Sequence, residues 1–319
     1  MRAATWTANG TLDVAERPDP EPKPGWVRLR VAATGICGTD LHFFRGVFGS
    51  PAGLLPGHEV GGVVDLPGDG VELEPGTPVA VEPIVTCREC YHCLGGSYNR
   101  CPKRMLLGVS GRGGMAEFMT APAHCLYPLP RPLAPADGAL AEPLAVCVRG
   151  LRLAGTSQGQ RVVILGGGTI GLLSAFLARL SGATEVYITA RRPAQQAMAR
   201  ELGATAVFDS SEAAFGALDR TEIDSVVETV GGSAPTLADA TRLVRPGGTI
   251  VMLGVFEGPA SIPALEFSGK EVTLVGSNCY GRSGVDTDFG IAVRLLGQHI
   301  EALRPLVTHR FSLDQVNQA

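Results

Sequence analysis

The sequence predicts an α/β protein in two parts, a β-rich first half and a doubly wound parallel sheet in the second. Three observations carry this. Short half-buried strands lie between Gly/Pro turns early in the chain; short apolar runs alternate with helical stretches after Gly159; and a glycine-rich turn joins the first such run to a helix. A length of 319 residues leaves room for two domains, and a hydrophobic content of 45% is ample for a core.

Residues 26–31 alternate apolar and polar side chains, as a half-buried strand does. Residues 61–64 and 78–81 read as further short strands. A proline-rich stretch at 127–135 leads to Asp137, which is expected to cap a helix from about Gly138 to Leu153. Residues 161–165 form an apolar run suited to a strand buried on both faces. A helix at 172–181, a strand at 185–189 and a helix at 195–202 follow, then strands at 206–208, 225–227, 249–253 and 272–275. A helical segment from about Phe289 leads to the final segment at 307–311. The expected domains are 1–147 with 289–319, and 148–288. No internal repeat of solenoid period is present. The 42 glycines and 23 prolines are spread out, which suits many tight turns rather than low complexity.

With 27 basic and 31 acidic residues the formal charge is −4, which gives no support for nucleic-acid or membrane-surface binding. No apolar run approaches the roughly 18–20 residues needed to cross a bilayer. Arg2 and the residues after it form no apolar signal segment. Four of the eight cysteines have metal spacing, so the expected setting is a reducing one, the cytoplasm.

The turn Gly166-Gly-Gly168-Thr169-Ile170-Gly171 fits G-x-G-x-x-G. Alone the pattern is weak; directly after an apolar strand and opening a helix, it implies a dinucleotide site. Gly166 makes the turn, Gly168 lets a pyrophosphate approach, Gly171 allows close helix–strand packing, and helix N–H groups face the phosphates. At the end of the next strand an NAD site usually carries Asp or Glu. Here stand Thr189, Ala190, Arg191 and Arg192. Without the acid nothing repels a 2′-phosphate, and a guanidinium can grip it, so NADP is favoured over NAD. The bland alternative is a pair of solvated arginines in a loop.

Cys87, Cys90, Cys93 and Cys101 follow C-x2-C-x2-C-x7-C, a spacing that lets four thiolates close around one zinc ion. An iron–sulfur cluster fits less well, because the last spacer is seven residues where the bacterial ferredoxin motif has about three. Upstream, Cys37 and the pair His58-Glu59, with Glu142 near a helix start, offer fewer ligands and leave a coordination position open. A closed site holds a fold together; an open one does chemistry.

In order along the chain, Gly35-Ile-Cys37-Gly-Thr39-Asp40-Leu-His42, Gly57-His58-Glu59, the four-cysteine loop, Ala141-Glu142-Pro143-Leu144 and the Gly166 turn resemble the zinc-dependent medium-chain dehydrogenases. The likeness is greatest to the polyol and threonine dehydrogenase branch and covers essentially the whole chain. It implies a GroES-like catalytic domain, a Rossmann domain, two zinc ions per chain, and hydride transfer between an alcohol or ketone substrate and NAD(P). Carried over by residue, Cys37, His58 and a carboxylate, Glu59 or Glu142, hold the catalytic zinc. Thr39 takes the substrate proton, and His42 relays it. Asp40 is expected either to support the metal ligands from behind or to be structural. Phe43, Phe44 and Phe48 either wall a substrate pocket or pack as core. Relatives are commonly dimers or tetramers. The family usually continues beyond the helix expected to start at Asp314, with a strand that returns to the catalytic domain; without it sheet edges are expected to stand unpaired. Two other readings are a zinc-free quinone or enone reductase on the same scaffold and a non-catalytic NADPH-binding protein. The first would not need Cys37, His58 and Glu142 together; the second would not need Thr39 and His42.

Overall fold

A hairpin of β1 (Arg2–Trp6) and β2 (Leu12–Glu16) comes first, antiparallel with Ala4 opposite Val14. Ala4, Trp6, Leu12 and Met115 form its buried cluster, with Phe43, Leu54, Leu313 and Val316 packed against it. The structure, a computed structural model, describes residues 1–49 and 51–319.

The strand expected at 26–31 continues to residue 35. In β3 (Trp26–Gly35) Val27 and Leu29 turn inward while Arg30 faces water, the period-2 pattern of a one-sided sheet. A short helix, α1 (Gly38–Phe44), follows, then β4 (Glu59–Pro67) and β5 (Pro78–Val81). Two small elements, β6 (Ile84–Val85) and β7 (Met105–Leu106), pair with each other and flank the cysteine loop with its single-turn α2 (Tyr91–Leu94). After them β8 (Phe118–Pro122) and β9 (Leu126–Pro128) complete a five-stranded sheet of order β8-β3-β4-β5-β9, antiparallel throughout. Its buried face is lined by Val27, Leu29, Val60, Val79, Val81 and Met119.

The helix expected from Gly138 begins later, as α3 (Ala141–Ala154), preceded by a 3-10 turn at Pro135–Leu140. Asp137 lies inside that turn and caps nothing in α3. Its carboxylate accepts from the Ala134 N–H at 2.8 Å and pairs with Arg304 at 3.0 Å. The tighter turn wins because Pro135 opens it and the Asp137 side chain satisfies its first amide.

A six-stranded parallel sheet occupies the second part: β10 (Arg161–Leu165), β11 (Glu185–Thr189), β12 (Ala206–Phe208), β13 (Ile223–Glu228), β14 (Val244–Met252) and β15 (Thr273–Gly276). The helices between them are α4 (Thr169–Leu180), α5 (Pro193–Glu201), α6 (Ser211–Leu218), α7 (Thr236–Leu243) and α8 (Ala264–Gly269). Strand order is β12-β11-β10-β13-β14-β15, the doubly wound arrangement whose direction reverses between β10 and β13. Residues 162–165 are fully buried, as a strand covered on both faces must be.

The hairpin β16 (Arg282–Ser283) and β17 (Asp286–Thr287) leads to α9 (Asp288–Leu303). By contacts the chain divides into Met1–Glu142 with Gly281–Ala319, and Pro143–Tyr280. Each border comes a few residues before the one expected from sequence. On the returning side the reason is hydrogen bonding: the Arg282 N–H reaches the Gly96 carbonyl at 2.9 Å, and Thr287 meets the Tyr127 hydroxyl at 2.9 Å. Residues 307–311 are irregular, and the helix start expected at Asp314 is one 3-10 turn, Leu313–Gln315. Past it, the Asn317 carboxamide bonds both the N–H and the C=O of Leu12, as a neighbouring strand would. No helix among the described residues is long and apolar enough to cross a membrane.

Candidate metal centres and cofactor turn

Antiparallel pairing of β3 with β4 sets Gly35 opposite Glu59. Cys37 lies two residues beyond the end of that pair and His58 one residue before it, so register alone brings the three side chains to one end of the sheet. Their ligand atoms all lie within 4.8 Å of one another. Gly35 leaves room for this carboxylate: a β-carbon on it would fall 1.9 Å from Glu59 Oε2 and push that side chain aside. Cys37 also caps α1, where its N–H donates to Asp40 Oδ2 at 2.9 Å. That bond makes Asp40 a brace for the helix carrying Thr39 and His42, which stand one turn apart on α1. Phe48 lies against the His42 ring, centroids 4.7 Å apart, and meets Phe43 edge-on at 5.6 Å. Phe43 belongs to the hairpin cluster, while Phe44 and Phe48 are exposed.

The electrostatics of this trio point to a cation. Burial pushes the Cys37 thiol well up, and the charges of Glu59 and Glu142 push the same way. Burial raises the Glu59 carboxyl too, with Asp40 adding to it. It holds the His58 imidazole down at about 4, and His58 Nδ1 is buried with no hydrogen-bond partner. Burial thus disfavours the charged thiolate and carboxylate, which a positive ion would favour, and leaves the imidazole neutral with a nitrogen lone pair to offer one. The residues therefore fit a zinc ion. Glu142 is buried in the first turn of α3 and its charge bears on Cys37, but it is not in the converging trio.

The second group is more complete. All four sulfurs of Cys87, Cys90, Cys93 and Cys101 lie within 4.8 Å of one another. Three separations are 3.5, 3.5 and 3.8 Å. A sulfur tetrahedron around zinc, with bonds of about 2.3 Å, has edges of about 3.8 Å. Arg88 takes a left-handed conformation, φ +61°, which turns the loop between the first two sulfurs. The backbone N–H of Glu89 draws the Cys87 thiol below its usual range. Cys87, Cys90, Cys93 and Cys101 are not joined by disulfides.

At the end of β10 the glycine turn has the shape its spacing demands. Gly166 has φ +111°. Gly168 precedes the first residue of α4, and a β-carbon on it would meet nothing within 4 Å. On Gly171 the added carbon would fall 1.8 Å from the Gly166 carbonyl oxygen. Thr169 and Ile170 open the helix, whose first amides are free of intrahelical partners. Thr189, where an acid would stand in many NAD sites, spends its Oγ1 accepting the Gly166 N–H at 2.9 Å. Arg191 and Arg192 beyond it are exposed.

Sequence reasoning missed Glu228. This carboxylate at the end of β13 is fully buried and accepts three hydrogen bonds beside the glycine turn. An acid closing an otherwise apolar strand was the available signal.

Comparison with known proteins agrees with this arrangement. The profile of the alcohol dehydrogenase GroES-like domain matches residues 23–131, and that of the zinc-binding dehydrogenases matches 169–296. Sorbitol dehydrogenase 2 of Saccharomyces cerevisiae is 33% identical over 97% of this chain and 90% of its own. Galactitol-1-phosphate dehydrogenase from Escherichia coli superposes with a TM-score of 0.90 at 30% identity, covering 100% of this chain and 95% of that one. A zinc-binding dehydrogenase from Sinorhizobium meliloti 1021, solved bound to NADP, gives 0.85 at 34% identity, covering 93% and 88%. Two converging ligand groups, a doubly wound sheet with its glycine turn, and these likenesses along nearly the whole length make the chain a member of the zinc-dependent medium-chain dehydrogenases, in the branch of the polyol dehydrogenases.

Proposed function

We propose that the protein oxidises a secondary alcohol or polyol, and reduces the matching ketone, with NADP as the preferred cofactor and two zinc ions per chain. The observation that carries this is the convergence of Cys37, His58 and Glu59 at the end of the β3–β4 pair. When bound, zinc supplies Lewis-acid polarisation of the substrate oxygen and the nicotinamide supplies the hydride acceptor. The chain does the rest. Cys37 and His58 hold the ion, and a carboxylate completes the set, either Glu59, which the convergence of the three ligand atoms favours, or Glu142. Thr39 Oγ accepts the alcohol proton, and the His42 ring takes it on toward water. Phe48 lines the approach on the His42 side. The cysteine loop with Cys87, Cys90, Cys93 and Cys101 holds the structural ion.

Gly166, Gly168, Thr169, Ile170 and Gly171 cradle the pyrophosphate, and Arg191 and Arg192 grip a 2′-phosphate. Substrates named for the relatives, sorbitol and galactitol 1-phosphate, set the class to try first. Free thiols at both ligand groups suit the cytoplasm, and the family's habit suggests a homodimer or homotetramer.

The test is a screen of secondary alcohols, polyols and sugars, following NADPH absorbance with and without a chelator. Chelator-sensitive turnover is expected, and it should vanish in Cys37→Ser. Turnover indifferent to both chelation and that substitution would point to a zinc-free reductase. Replacing Arg191 and Arg192 with Ala should raise KM for NADP about tenfold or more while leaving KM for NAD within about twofold. Equal changes for both cofactors would assign the arginines no part in the choice.

A further inference from the structure

Glu228 ends β13, next to β10 at the point where strand order reverses. Ligands of doubly wound sheets bind outside the carboxyl ends of the strands at such a point. The side chain is completely buried. Its Oε1 accepts from the Val230 N–H at 2.8 Å, the Gly231 N–H at 2.9 Å and the Thr236 hydroxyl at 2.8 Å. Its Oε2 has no hydrogen-bond partner. A buried carboxylate is costly, and apolar packing would hold a loop at less expense. What the charge obtains is order in a loop of difficult geometry. Gly231 and Gly232 both take left-handed conformations, φ +61° and +62°. The Gly232 N–H then reaches the Val255 carbonyl at 2.8 Å, tying this loop to the one after β14.

That loop also shapes the glycine turn. The Thr229 hydroxyl donates to the Leu165 carbonyl at 2.8 Å. A β-carbon on Gly166 would fall 2.6 Å from Thr229 Oγ1 and 2.8 Å from Val230 Cγ2. Val230 and Val255 nonetheless leave their side chains in water, 44% and 47% exposed. Val230 is thus held at the carboxyl edge of the sheet by its N–H bond to the Glu228 carboxylate, and Val255 is tied to the same loop through the Gly232 N–H.

We propose that Glu228 is a positioning residue for the dinucleotide: its charge fixes the loop after β13, and with it Val230 and Val255, in the shape that receives the cofactor. This rests on the nicotinamide-cofactor reading above. Glu228→Gln keeps the size and an accepting oxygen, removes the charge and puts an amide NH2 where Oε2 stands. NADPH is titrated into the substrate-free protein by fluorescence, and melting of the cofactor-free protein is followed alongside by circular dichroism. The expected result is a Kd raised about tenfold, the loss of one charge-assisted bond's advantage, with native circular dichroism. Thr236→Val, which removes one donor, should weaken binding, and Thr236→Ser, which restores it, should bind as wild type does. A Kd within about twofold of wild type in Glu228→Gln, or in Thr236→Val should the first variant not fold, overturns the proposal whatever the melting temperature does. Failure of wild type itself to bind NADPH or NADH would instead strike the cofactor reading.

Discussion

At Gly168 a β-carbon would point into open space, while at Gly171 it would collide with a carbonyl 1.8 Å away. One spacing motif therefore contains two kinds of requirement, and substitution separates them. Gly171→Ala forces helix α4 away from the turn and should destabilise by about 1–3 kcal/mol or more, an overpacking cost. Gly168 has φ −75°, which alanine adopts freely, so Gly168→Ala should keep the fold to within about 1 kcal/mol, the loss of a good helix-start residue. Its harm should fall on NADPH, whose Kd should rise at least about tenfold because the new methyl fills the space that a pyrophosphate would need. Thermal melts and cofactor titrations of the two variants check this; equal losses of stability would show that Gly168 is packed. Conversely, the Cys37, His58 and Glu59 constellation was legible as residue types, but which carboxylate joins the other two was not. That depends on β3–β4 register, with Gly35 opposite Glu59, and register follows from pairing across many residues.

Elements were legible where packing and pattern coincide. Strands β10, β11 and β12 have the bounds expected for them; for β10 the reason is that a strand covered on both faces needs an unbroken apolar run, whereas β11 is buried only at alternate residues and β12 only in part. Helices α6 and α7 went unseen, being eight residues each and too short for a helical period to stand out. The Asp137 cap was misplaced because a carboxylate can close a 3-10 turn as readily as an α-helix. Also invisible in sequence was a buried network joining four elements. Glu82, just after β5, accepts from the Tyr98 hydroxyl at 2.5 Å and the Tyr127 hydroxyl at 2.9 Å, and Tyr127 reaches Thr287 of β17. Burial raises the Glu82 carboxyl to about 7, although the tyrosine bonds pull the other way. The folded chain therefore holds a proton that the unfolded chain, at the ordinary value of 4.5, has released. Its contribution is complete below about pH 4.5 and is lost as pH rises through about 7, by at most about 3 kcal/mol. Glu82→Gln never ionises, so against wild type it should gain stability between about pH 5 and about pH 8. Denaturant melts of both proteins across that range test it; a pH-independent difference would mean that Glu82 does not titrate in the fold.

The whole molecule divides its tasks between the two units. Cys37, His58 and Glu59 and the four-cysteine loop all belong to the unit of Met1–Glu142 and Gly281–Ala319, and the glycine turn belongs to Pro143–Tyr280. Each unit has its own buried cluster, one around Val27, Val60 and Val81, the other around Val163, Val226 and Ile250. Losing metal should therefore leave nucleotide binding standing. The two metal sites should also part in order. An ion held by the trio would have three protein ligands and a position left for a chelator, whereas four thiolates would close the other site. Metal analysis should find two zinc per chain, and Cys37→Ser should retain one. Mild chelation should stop turnover with little change in the melting temperature or in NADPH affinity. Stripping the second ion should lower the melting temperature by several degrees, because four thiols otherwise stay crowded within 4.8 Å. Simultaneous loss of both ions, or loss of NADPH binding with the first, would show that the units are not independent and that the trio is not the open site.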